Sequence, residues 1–110
     1  MNTIHFITRH EPTESQVKLA EALCYKIETH ADVDAFDQDA LHNLAGAVAE
    51  HRNDAFMVVH SFLASVVASN GGAIASFTNV RREDGQFEAT SLSIIEGSNI
   101  VNTVTLEEIS

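Results

Sequence analysis

Three short stretches hold most of the residue types that could do chemistry: Thr8-Arg9-His10, His60-Ser61, and Thr78-Asn79 followed by Arg81-Arg82. Three of the four arginines fall there, in a chain whose formal net charge is -10. Guanidinium forks match phosphate oxygens. Two histidines beside a phosphodiester can serve as general base and general acid for attack by a ribose 2′-hydroxyl. The pattern points to a local anion site, with His10 and His60 as catalytic candidates. Thr8, Arg9, Ser61, Thr78, Asn79, Arg81 and Arg82 are the ligand-binding candidates.

Each of these residues also has a plainer use. A histidine at a strand end commonly ties down a loop, and Arg81-Arg82 beside Glu83-Asp84 reads equally as a solvated hairpin. Gly71-Gly72 reads as a helix stop rather than a phosphate loop, because no helix follows it. His5, His30, His42 and His51 share no ligand spacing, which predicts no metal site, and no motif calls for a cofactor. Cys24 is the one cysteine, so no intrachain disulfide forms, and its place on an apolar stripe reads as core. GxSxG, P-loop and GxGxxG motifs are absent from the sequence.

Elements of two kinds must position these residues. Residues 3–8, "TIHFIT", read as a strand. Pro12 and the capping box Thr13–Gln16 then start a helix expected over 14–29, with Val17, Ala20, Leu23, Cys24 and Ile27 at helical spacing. Residues 31–37 alternate weakly and suggest a short edge strand. Asp37 or Asp39 caps a second helix that ends near His51. The apolar run 54–60 suits a strand covered on both faces, followed by a helix over 61–70. Strands are expected at 73–80, 87–95 and 100–109, with a turn at Asp84-Gly85.

The order βαβαβαβ predicts a three-layer open α/β sheet, mainly parallel and flavodoxin/Rossmann-like, with a C-terminal antiparallel hairpin. Runs 55–59 and 73–77 are expected as adjacent parallel strands. The candidate residues then gather at the strands' carboxyl ends, near the topological switch point, where free N–H groups of helix starts add to the attraction for anions.

The 110 residues fit one domain, 1–110, and 45% apolar content supports a core without disulfide or metal. The acidic balance, with pI near 4.8, argues against duplex nucleic acid as a partner. It suits a small anion in a pocket, or a partner with a basic face. No apolar run is long enough for a membrane span, and "MNTIHFITRH" carries no secretory-signal pattern, so a cytoplasmic setting is expected.

Thr8-Arg9-His10, then Pro12, Thr13 and Gln16, resembles the strand-to-helix corner of the small stand-alone CRISPR-associated Rossmann-like (CARF-type) proteins. The strand ending in His60-Ser61 and the stretch Gly85–Ile95 look similar too. The resemblance implies binding of cyclic oligoadenylate at a homodimer interface, and metal-independent ring-nuclease cleavage in some members. By position, Arg9, His10 and His60-Ser61 would line the ligand. A phage-encoded acidic protein that blocks a basic nucleic-acid-binding partner would show the same features, and so would one subunit of an obligate oligomer.

Overall fold

Thr13 opens the first helix as the capping box predicts: its hydroxyl accepts the Gln16 N–H and the Gln16 side chain accepts the Thr13 N–H. The structure, a computed structural model, describes residues 1–109, so Ser110 of the expected domain lies outside the described residues. In chain order the elements are β1 (Asn2–Ile7), α1 (Glu14–Ala22), β2 (Tyr25–His30), α2 (Gln38–Glu50) and β3 (Ala55–Val58). There follow α3 (Ser61–Ser69), β4 (Ala73–Arg81), β5 (Phe87–Glu96), β6 (Asn99–Thr105) and α4 (Leu106–Ile109). No helix among the described residues is long and apolar enough to cross a membrane.

One six-stranded sheet has the order β2-β1-β3-β4-β5-β6. Alternate side chains of β1 feed two cores. Ile4 and Phe6 pack with Leu19 and Ala20 of α1, while Ile7 packs with Leu44 and Val48 of α2 and Leu63 and Val67 of α3. The sheet is thus covered on both faces where β1 and β3 run.

The expectation of a mainly parallel, flavodoxin/Rossmann-like sheet is overturned. The sheet is mixed. Parallel pairing joins β2, β1, β3 and β4, but β3 and β4 pair only through Ala55↔Ala73 and Phe56↔Ile74. The longer strands β4, β5 and β6 form an antiparallel meander rather than a terminal hairpin. The cause is local. Gly85, at φ 85°, donates its N–H to the Arg82 carbonyl, and Asp84 Oδ1 accepts the Gln86 N–H, so the chain reverses at once with no helical crossover.

Four further expectations need correction. The first helix stops at Ala22, not 29. Cys24 takes φ 64° with its N–H on the Glu21 carbonyl, and it is exposed rather than in the core. Tyr25–His30 then form β2, because Tyr25 and Ile27 serve a strand period as well as a helical one, and pairing with β1 satisfies the backbone. Residues 31–37 form no strand: Asp34 Oδ1 accepts the Phe36 N–H, and Asp37 Oδ1 accepts the Asp39 and Ala40 N–H groups as the α2 cap. The last strand ends at Thr105, where Leu106 begins α4.

Candidate functional site

The carboxyl ends of β1 and β3 face a cavity of about 420 Å³, lined by Arg9, Asp32, Asp34, Phe36, Val59 and His60 among others. Arg9 reaches it from the end of β1 and donates from Nε to Asp32 Oδ2 at 3.0 Å, with its side chain 84% exposed. His60 comes from the end of β3 and caps α3: its Nδ1 accepts the Phe62 N–H at 3.1 Å. That bond leaves Nε2 as the nitrogen that carries the proton in the neutral ring. Phe36 is 91% exposed on the 31–37 loop.

The other expected site residues divide. Ser61 is the exposed first residue of α3. Thr8 is buried, and its Oγ1 accepts the His10 N–H, while the His10 side chain is exposed. The Thr78 carbonyl accepts the Thr90 hydroxyl inside the meander. Asn79 borders a different hollow with Gln16 and Met57. Arg82 lines a separate cleft with Glu14, Lys18 and Glu88, and Arg81 is exposed on the hairpin. The structure therefore brings Arg9 and His60 together, and sets Asn79 and Arg82 elsewhere. The meander carries the end of β4 away from β1 and β3.

A second cavity, of about 430 Å³, lies between α2 and the β1–β2 face, lined by His5, Glu28, His30, Asn43 and His51 among others. His5 stands in mid-strand with its side chain 8% exposed. Its Nε2 lies 2.9 Å from Asp54 Oδ2, and its Nδ1 lies 2.9 Å from His30 Nε2. Phe56 stacks on the ring, with centroids 4.8 Å apart. Asp54 also accepts the Thr3 N–H on Oδ1 at 3.0 Å. Burial pushes the Asp54 carboxyl up, but the Thr3 N–H, the His5 hydrogen bond and the nearby His5 and His51 rings outweigh it, holding the carboxyl below its ordinary value. Asp54 therefore stays a carboxylate and fixes the proton of His5 on Nε2. His51 Nδ1 approaches the same carboxylate at 3.6 Å, and Glu28 Oε1 lies 3.7 Å from His30 Nε2.

Spacing along the chain hides this cluster, because His5, His30 and Asp54 come from three separate elements. The weak signal that was present is His5 itself, a titratable group at an inward position of a strand. Asp32 and Val33 line both cavities, so the two adjoin across the 31–37 loop. No protein-family model, curated protein sequence or solved structure matches this chain.

Proposed function

We propose that the protein binds an anionic nucleotide ligand, in its specific form a cyclic oligonucleotide, in the cavity at the ends of β1 and β3. One observation carries this reading: Arg9, Phe36 and His60, from three separate segments, line the same cavity. An exposed aromatic ring is a stacking platform for a base, a guanidinium suits phosphate, and a neutral His60 offers Nε2–H to a phosphate oxygen. The N-terminal turn of α3 adds N–H groups on the same side.

Cleavage, where it occurs, is attack of a ribose 2′-oxygen on the adjacent phosphorus. The bond from phosphorus to the 5′-oxygen breaks, and a 2′,3′-cyclic phosphate remains. His10, exposed just beyond the end of β1, takes the 2′-hydroxyl proton; His60, whose Nδ1 is already an acceptor, only hydrogen-bonds a phosphate oxygen through Nε2–H, and water protonates the departing 5′-oxygen. A homodimer doubles Arg9 and His60 around one ring. The test is incubation with a panel of cyclic and linear oligonucleotides, read by calorimetry and chromatography. Retention of a cyclic member supports the reading, and no binding by any member ends it.

A second reading has its own observation. Val80, Phe87, Ile100 and Val101 are exposed on the β4–β5–β6 meander of a chain with net charge -10. Apolar groups within an acidic surface suit a non-enzymatic protein that covers a basic partner.

A further inference from the structure

We infer that His5, His30 and Glu28 form a binding site for a divalent transition-metal ion of the zinc type, with one coordination position open to the cavity under α2. The site uses none of Arg9, Phe36 or His60 and stands apart from the nucleotide reading.

The first support is the facing of two imidazole nitrogens. His5 Nδ1 and His30 Nε2 lie 2.9 Å apart, and the Glu28 carboxylate stands 3.7 Å from the second. The ligand atoms of these three residues all lie within 4.8 Å of one another. Two metal–nitrogen bonds of tetrahedral geometry hold their nitrogens about 3.4 Å apart. An opening of about half an ångström therefore converts the pair from a hydrogen bond to a chelate.

The second support is what lies behind His5. Its side chain is more than nine-tenths buried, and Asp54 takes the Nε2–H. A ligating histidine whose other nitrogen donates to a carboxylate is the usual outer arrangement of a metal site, because it fixes the tautomer and raises the basicity of the ligating nitrogen. The β1–β2 register contributes the rest: His5 pairs with Glu28, and Ile7 with His30, so Glu28 and His30 flank His5 on one face of parallel strands. Without metal, His30 Nε2–H donates to His5 Nδ1. On binding, that proton moves to His30 Nδ1 and the ring stays neutral.

Two imidazoles and one carboxylate suit Zn²⁺ or Co²⁺ rather than Mg²⁺ or Ca²⁺, which take oxygen ligands. The cavity of about 430 Å³ leaves room for water or a small ligand at the open position. The rival set His5, His51 and Asp54 also has its ligand atoms within reach of one another. It requires His5 to give up the Nε2 proton and with it the hydrogen bond to Asp54.

The experiment is titration of the full chain with Co²⁺, followed by visible absorption, and with Zn²⁺, followed by calorimetry. The expected result is one ion per chain, with the visible bands of a four-coordinate Co²⁺. His30→Ala is expected to abolish those bands, and Glu28→Gln to weaken binding at least tenfold. Both side chains are partly exposed, at 36% and 54%, so both variants remain folded, checked by circular dichroism. His51→Ala and the exposed His42→Ala leave the titration unchanged. Absence of the bands in the native chain overturns the site, and so does loss of binding in His51→Ala with retention in His30→Ala.

Discussion

His5 and Asp54 are 49 residues apart in the chain, and their side chains meet at 2.9 Å. The contact joins mid-β1 to the turn before β3, and the same carboxylate holds the Thr3 backbone N–H. It is a structural clasp as well as the orienter of His5. Asp54→Ala removes the acceptor for both donors and is expected to cost about 1.5–3 kcal/mol, measured by urea unfolding at neutral pH.

The acid limb of stability gives a related test. The folded Asp54 carboxyl lies below its unfolded value, so its contribution is fully present above the unfolded pKa. It is lost as pH falls through the folded pKa. Urea midpoints taken from neutral to acid pH should therefore fall less steeply in Asp54→Ala than in the native chain. Parallel curves would mean that this carboxylate is not differentially protonated.

Two glycines of the α2–α3 layer should respond in opposite directions. A Cβ at Gly72 would sit 2.5 Å from Val48 Cγ1 and 2.8 Å from Val67 Cγ1. Gly72→Ala is expected to destabilise by about 1–3 kcal/mol, because the two valines are buried and cannot both give way. Gly46, inside α2, has nothing within 4 Å of such a Cβ, and Gly46→Ala should stabilise by about 0.5–1 kcal/mol. Melting temperatures of the two variants check the signs.

His60 separates capping from ligand binding. His60→Ala is expected to cost about 1 kcal/mol through the lost α3 cap, and His60→Asn to restore most of it. In a ligand titration, His60→Asn should still bind weakly if Nε2–H is the group that meets phosphate. Full affinity in His60→Asn would confine His60 to the cap.

Arg9→Ala and Phe36→Ala test the cavity at the ends of β1 and β3. Both side chains are highly exposed, at 84% and 91%, so stability should change by no more than about 0.5 kcal/mol. Binding of a cyclic oligonucleotide should weaken at least about tenfold for Arg9→Ala, and by about 1–3 kcal/mol for Phe36→Ala. A melting-temperature loss with unchanged affinity would make Arg9 a loop tie to Asp32 and nothing more. In the same preparations, light scattering should report a dimer at tens of micromolar, roughly the range of common dimer affinities.

The sequence by itself determined the features that depend on neighbours along the chain. The Thr13–Gln16 capping box and the Gly71-Gly72 stop form as expected, and of the two caps the sequence offered for α2, Asp37 and Asp39, Asp37 takes the position. Gly71 sits at φ 80° and donates its N–H to the Ala68 carbonyl, and Gly72 donates to the Val67 carbonyl. These are hydrogen bonds within one turn of chain, so residue type and spacing are enough. Tertiary pairing decided the rest. Tyr25–His30 carry apolar residues that fit a helix or a strand, and only the β1 edge, with six backbone partners from Asn2↔Tyr25 to Ile7↔His30, made them a strand. That pairing also placed Glu28 and His30 beside His5, while α2 and the turn after it brought Asp54 to the far side of the same ring. No spacing rule links residues 5, 28, 30 and 54, because a parallel sheet sets such distances by strand order and register, and both are fixed by burial of the two faces rather than by local chain geometry.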